Sequence, residues 1–146
     1  MRGSYPTMSM TKPWLPFLST ALVLLALVPS GGHAQDVIQA EDGVYTDLQA
    51  RRGLVIYRAA CADCHGERDF SGTSFMRRWG NVPIGAFFQH VQTTMPDMAP
   101  GILTDQQTAD IMAYVLSLNG FPEGDDELPS SPEALGQIRM DRPDER

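Results

Sequence analysis

The run CADCH, residues 61–65, holds both cysteines of this 146-residue chain and one of its three histidines. Cys61 and Cys64 are three positions apart, a spacing that places their thiols on the same side of a helical turn. His65 follows directly, so an imidazole stands next to the second thiol. The two thiols and the imidazole can hold one ligand through three bonds, so the rest of the chain is expected to fold around this turn.

Three chemistries use such a run. With a following histidine it is the attachment signature of c-type haem, in which each thiol adds to one vinyl group of the porphyrin and the imidazole ligates the iron. A thiol–disulfide redox pair would need a strand leading into a helix, whereas the segment before Cys61 has a helical pattern. A zinc site would have to use both cysteines, His65 and His90, without the usual paired spacing. The sequence therefore favours one covalent haem c.

The first 34 residues are typical of an export signal. A basic start is followed by an apolar run from Trp14 to Val28, and Ala34 closes a small-residue cleavage pattern. The run has about 15 residues, whereas a helix needs about 20 to cross a bilayer. We expect cleavage before Gln35, a periplasmic location and no membrane span in the mature chain.

The charge of the chain excludes a nucleic-acid binder. Eleven basic residues stand against 18 acidic ones, so a phosphate backbone would be repelled. Removal of the first 34 residues leaves nine arginines, no lysine and all 18 acids, a net charge of −9. We expect partner proteins to meet this chain through a basic surface or through mainly apolar contact.

The chain is predicted to have four segments. These are a signal peptide (1–34), an N-terminal extension (35–44), a folded domain (45–121) and an acidic, proline-containing tail (122–146) that is solvated and partly wrapped onto the domain. Leu128, Leu135 and Ile138 are apolar residues with which the tail can attach to the domain surface. A domain of fewer than 80 residues gains little net stability from its core alone, so a bound cofactor is expected to contribute.

Two longer helices are predicted on either side of the motif. Thr46 is a candidate N-cap of the first, whose shared face is formed by Ala50, Gly53, Leu54, Tyr57 and Cys61. Thr104 and Gln107 form a capping box for the second, which ends at Asn119 and Gly120. Gly53 weakens the first helix by about 1 kcal/mol relative to alanine. A glycine there is understandable if the other helix crosses at that point.

A methionine loop lies between the motif and the last helix. A short helix from Pro83 to about Thr93 leads into Met95, which Pro96 keeps out of the helical region. The thioether of Met95 can therefore project inward from a loop, thirty residues after His65. Two other candidate iron ligands in this part of the chain are Met98 and His90.

These motifs together resemble those of class I c-type cytochromes: a helix with Gly53 and Tyr57, CADCH, a Met-Pro loop and a last helix ADIMAYVLSL. More narrowly, MRRWG (76–80) and TTMPDMAPGILTDQQTADIMAYVLSLNGFP (93–122) are similar to small periplasmic cytochromes c associated with quinoprotein (PQQ) dehydrogenases. The resemblance implies an all-α fold in which the N- and C-terminal helices cross around one covalently bound haem.

The resemblance also assigns the site residues. Cys61 and Cys64 carry the thioethers, His65 is the proximal iron ligand and Met95 the distal one. Tyr57 and Tyr114 are expected to meet at the helix crossing, with Trp79 near the haem. Many relatives have a proline after the motif whose carbonyl accepts the imidazole N–H, but residues 66–74 contain none, so this acceptor is unassigned.

The function implied is electron transport rather than catalysis. The protein would accept single electrons from a periplasmic dehydrogenase, of the quinoprotein alcohol or aldehyde type, and pass them to a terminal oxidase or another cytochrome. One alternative is a haem protein with an open distal site that reacts with peroxide or binds a gas. The other is a thiol–disulfide oxidoreductase.

Overall fold

The computed structural model describes Gly3 and residues 37–141, within a chain that divides into the units Met1–Gly32 and His33–Arg146. The described part is mostly helical, as expected, with helices α1 (Asp47–Ala60), α2 (Gly72–Trp79), α3 (Ile84–Thr94), α4 (Asp105–Leu118) and α5 (Pro132–Leu135). It also has 3-10 turns at Ala40–Asp42 and Glu67–Phe70, and strands β1 (Ile38–Gln39) and β2 (Ile138–Arg139). The expected signal peptide lies outside the described residues except for Gly3. Among the residues described, none of the helices is long and apolar enough to span a bilayer.

The crossing of α1 and α4 is confirmed, and Gly53 is the reason that it is close. A Cβ atom on Gly53 would overlap the backbone carbonyl of Asp110 and lie 2.9 Å from the Cβ atom of Tyr114. Only a residue without a side chain permits this approach. The rings of Tyr57 and Tyr114 meet beside it, with centroids 5.4 Å apart, as the resemblance implied.

The predicted caps define where both helices begin. Thr46 Oγ1 accepts a hydrogen bond from the backbone of Gln49 at the start of α1. The capping box of α4 is complete, because Thr104 Oγ1 accepts from the Gln107 N–H (3.2 Å) and Gln107 Oε1 accepts from the Thr104 N–H (2.9 Å). These bonds satisfy backbone donors that a helix N-terminus leaves open.

Helices α2 and α3 form the other side of the molecule. Helix α3 begins directly after Pro83 and ends at Thr94, one residue later than predicted. The next residue, Met95, has an extended backbone (φ −126°, ψ 149°). Helix α2 has no counterpart among the predicted elements. Its eight residues bury only Phe75, too few apolar positions to reveal a period in the sequence.

The acidic C-terminal stretch packs against the domain as far as it is described, to Asp141. Leu128, Leu135 and Ile138 are all buried, which agrees with the prediction that they attach this stretch to the domain. The Gln49 side chain holds the Leu128 backbone in both directions, donating to its carbonyl (2.9 Å) and accepting from its N–H (2.6 Å). Strand β2 pairs in parallel with β1, so residues from both ends of the described region meet. Residues 122–141 therefore pack against the domain through four buried side chains, while many of their other residues are exposed.

Candidate haem-binding site

A cavity of about 750 Å³ lies beside the end of α1 and is bordered by α2, α3, α4 and the loop after α3. The structure brings all four predicted site residues to it: Cys61, Cys64, His65 and Met95. His90 and Trp79 also line the cavity, whereas Met98 does not and is 93% exposed. Met95 therefore lies at the cavity and Met98 does not, a difference that the sequence left open.

The C-terminus of α1 presents the attachment motif. The helix ends at Ala60, and the Cys61 N–H still donates to the carbonyl of Tyr57 (2.8 Å). One further turn follows, in which the N–H groups of Cys64 and His65 both donate to the carbonyl of Cys61 (3.1 and 2.9 Å). This turn gathers two free thiols and an imidazole at one edge of the cavity.

The environment of Cys61 opposes thiol–disulfide chemistry. Burial raises the pKa of the Cys61 thiol, whereas a nucleophilic redox cysteine needs a lowered pKa. Its position after a helix C-terminus acts in the same direction, because the negative end of the helix dipole disfavours a thiolate. In the described part of the chain, the structure contains no group of three or more His, Cys, Asp or Glu side chains that could hold a metal ion.

His65 is held by contacts from three directions. Its backbone carbonyl accepts a hydrogen bond from the Tyr57 hydroxyl (2.5 Å), and its ring packs edge-on against Phe70 with centroids 5.4 Å apart. Its Nδ1 atom lies 3.6 Å from Oδ2 of Asp69. The aromatic contact and the carboxylate were missed by the sequence analysis, although Asp69 stands four residues after His65 in a segment without proline.

The turn after the motif is also fastened to α4. Tyr114 donates a hydrogen bond from its hydroxyl to Oε1 of Glu67 (2.6 Å). Burial, together with the Glu67 carboxylate, raises the pKa of Tyr114, so the hydroxyl remains a donor. Burial and then Glu67 raise the pKa of Tyr57 in the same way. Both tyrosines at the helix crossing therefore anchor the segment that carries His65.

Aromatic rings form the wall opposite α1. Trp79 packs against Phe87 with centroids 4.8 Å apart and against His90 at 5.3 Å. The guanidinium carbon of Arg78 lies 5.2 Å from the centre of the Trp79 ring, and Arg78 borders the cavity. Trp79 thus lies at the cavity, and His90 is half-buried against it.

The residues around the cavity fit a haem. The lining is mainly aliphatic and aromatic, and the volume falls in the range of about 300–1,000 Å³ that is typical of cofactor sites. Two thiols and an imidazole at one edge supply the atoms that covalent attachment and iron ligation require. A thioether from Met95 reaches the same cavity from another part of the chain.

Comparison with known proteins agrees with this geometry. Residues 48–115 match the family model described as cytochrome c oxidase, cbb3-type, subunit III, a cytochrome c domain, which implies a covalently bound haem c with iron and redox partners. Neither the curated proteins nor the solved structures contain a match to the chain. The matched segment runs from the first turn of α1 through the motif and the Met95 loop into α4. This match supports a class I c-type cytochrome domain over residues 48–115, a kind of domain that carries electrons on haem.

Proposed function

We propose that this protein is exported to the periplasm and carries single electrons from a periplasmic dehydrogenase to a terminal oxidase or another cytochrome. The observation that carries the proposal is the one cavity that the attachment motif and Met95 share. When bound, the haem iron supplies reversible one-electron chemistry between its ferrous and ferric states. One electron enters from the donor and one leaves to the acceptor, so no bond in a substrate changes.

Each of the four site residues has one role in this proposal. Cys61 and Cys64 fix the ring through thioether bonds, and His65 and Met95 ligate the iron, a ligand pair that raises the reduction potential. The position of Met95 at the cavity supports its assignment, because the alternative Met98 points into solvent. His90 is less suited, because its ring already packs against Trp79.

Docking to redox partners would use the surface beside the Met95 loop. Met98 and Ile102 are 93% and 66% exposed there, an apolar contact next to Pro96 at the cavity. Electron-transfer encounters are transient and typically bury less than about 1,200 Å². With a net charge of −9 and no lysine after residue 34, the mature chain would attract a partner with a basic surface over a long range.

Different observations support the proposed electron donor and the proposed electron acceptor. Resemblance of the Met95 loop and the last helix to cytochromes that serve quinoprotein dehydrogenases supports an alcohol or aldehyde dehydrogenase of that kind as the donor. The family description, which names a subunit of a cytochrome c oxidase, supports an oxidase as the acceptor.

The test is expression of the full chain in a periplasm with haem-attachment machinery. We expect a mature N-terminus at Gln35, a reversible redox spectrum, and rapid stopped-flow reduction by a quinoprotein dehydrogenase from the same source. The reduction rate should fall between about 10 mM and 150 mM salt, as the screening length shrinks from about 30 Å to 8 Å. Lack of reduction by any such enzyme would refute the donor, and an uncleaved cytoplasmic product would refute export.

Carbon monoxide separates the carrier from a haem protein with an open distal site. A thioether from Met95 would occupy the sixth position, so the ferrous spectrum should not change when carbon monoxide is added. Immediate conversion to a carbon monoxide spectrum would favour a gas-binding or peroxidase function instead.

A further inference from the structure

The carboxylate of Asp69 lies next to the Nδ1 atom of the His65 imidazole. We propose that Asp69 accepts the Nδ1–H of His65, in the place of the missing proline carbonyl, and that its negative charge lowers the reduction potential. This inference rests on the proposed role of His65 as an iron ligand. Asp69 borders the cavity as well, but in this inference it is a positioning residue, because its effect on the iron passes through His65.

The structure brings the His65 imidazole and the Asp69 carboxylate close together. His65 Nδ1 and Asp69 Oδ2 are 3.6 Å apart, within ion-pair distance. A hydrogen bond from a ring N–H needs about 2.7–3.2 Å, so a side-chain movement of less than about 1 Å completes it. The Tyr57 hydroxyl bonds the backbone carbonyl of His65 and the Phe70 ring packs against the imidazole, so His65 is held at this position.

The Asp69 carboxylate is itself held in place. Its Oδ2 atom accepts a hydrogen bond from the N–H of Gly66 (3.0 Å), and the Asp69 N–H donates to the carbonyl of Gly66 (2.9 Å). These two bonds close the first turn of the 3-10 helix Glu67–Phe70. The turn that follows the attachment motif therefore delivers a carboxylate to the imidazole, and little side-chain freedom remains to be lost when the bond forms.

A carboxylate acceptor differs from a backbone carbonyl in its effect on the iron. Hydrogen bonds to an ionised acceptor are about twice as strong as bonds between neutral groups, and such a partner makes a ligating histidine more basic. A more basic imidazole stabilises the ferric state over the ferrous state, so the reduction potential falls. Because Asp69 is exposed, water screens part of this effect.

The sharpest test compares two charge-removing variants of the matured holoprotein. Asp69→Asn keeps an oxygen for capping Gly66 but removes the charge. Asp63→Asn removes an equal charge two positions before His65, from an exposed side chain that does not line the cavity. We expect Asp69→Asn to shift the equilibrium with a reference redox couple toward the ferrous protein by up to tenfold, which is about 59 mV for one electron. Asp63→Asn should shift it by less than half as much on the logarithmic scale.

A second readout follows the proton itself. In ferrous protein labelled with 15N-histidine, the Nδ1 proton of His65 should be shifted downfield and exchange slowly with water. Asp69→Asn should move this signal upfield, and Asp69→Ser, whose oxygen caps Gly66 but is too short to reach the ring, should do the same. Equal potentials in the two asparagine variants, or a wild-type Nδ1 proton that exchanges as fast as that of a solvated imidazole, would overturn the inference. Absence of covalent haem or of histidine ligation in the wild-type spectrum would instead refute the proposed function.

Discussion

The α1–α4 crossing and the cavity beside it are built in opposite ways. At the crossing, protein touches protein: Gly53 admits the backbone of Asp110, and the Arg52 guanidinium bonds the Asp110 carboxylate at 3.0 Å through two nitrogens. At the cavity, side chains from α1, α2, α3 and α4 border a space of about 750 Å³. We infer from this difference that the chain completes one half of its core by itself, the self-sufficient half, and that the other half needs a covalently attached group.

The C-terminal stretch belongs to the self-sufficient half. Leu128 and Leu135 are 1% and 0% exposed, and Met140 is 0% exposed. The guanidinium of Arg52 also binds Glu127 (2.8 Å), which ties this stretch to the α1–α4 crossing. Burial of these side chains extends a core that would otherwise be small for a domain of this length.

The largest effect is expected at the cavity, where the cofactor replaces protein contacts. Replacing both Cys61 and Cys64 with serine removes the covalent bonds, and we expect haem staining to disappear after denaturing electrophoresis. Most cooperative folding should be lost with it, because the cavity walls lose the group that they pack against. Far-ultraviolet circular dichroism during thermal unfolding measures this. A fully helical protein that unfolds cooperatively without haem would contradict the inference that the cavity half of the core depends on the cofactor.

In the self-sufficient half, Leu135→Ala is expected to cost about 2–5 kcal/mol of unfolding free energy. The side chain is 0% exposed, so its removal leaves a hole beneath α5. Ile102→Ala is the matched control, because that side chain is 66% exposed and its loss should change stability by less than about 0.5 kcal/mol. Denaturant unfolding of the holoproteins gives both values. Equal stability of the two variants would mean that the C-terminal stretch is a solvated tail after all.

The closeness of the helix crossing is tested by Gly53→Ala. Alanine improves helix propensity by about 1 kcal/mol, but its Cβ atom would overlap the backbone of Asp110. We expect a net loss of about 1–3 kcal/mol, because backbone cannot yield as a flexible side chain does. Gly66→Ala is the control, since a Cβ atom there meets nothing within 4 Å. A stabilised Gly53→Ala protein would show that the two helices do not need to approach so closely.

The smallest structural change is expected when Met95, the proposed distal ligand, is replaced. Met95→Ala should remove the weak far-red ferric band of sulfur ligation, open the iron to carbon monoxide and lower the potential by about 59 mV or more, a tenfold change in equilibrium. Met98→Ala, at an exposed position, should leave all three unchanged. Ferric absorption spectra and redox titration distinguish the variants. Loss of the band in Met98→Ala alone would reverse the assignment.

Local signals in the sequence predicted the parts of this molecule that local contacts determine. Gly53 indicated a crossing because a glycine inside a helix is costly, and Thr104 revealed its capping box within four residues. The positions of Asp69 and Leu128 depend on the folded path of the chain. The bond between Leu128 and Gln49 joins residues 79 positions apart, and acids and prolines around Leu128 resemble those of a solvated segment.

The central claim is that the motif at the cavity carries one covalent haem, and the intact mass of the periplasmically matured chain tests it most directly. The account predicts the mass of the mature polypeptide plus one haem, with no thiol left to react with an alkylating reagent under denaturing conditions. Cys61 and Cys64 are the two cysteines of the chain, so the result is unambiguous. A folded protein with the mass of the polypeptide alone and two reactive thiols would contradict the account.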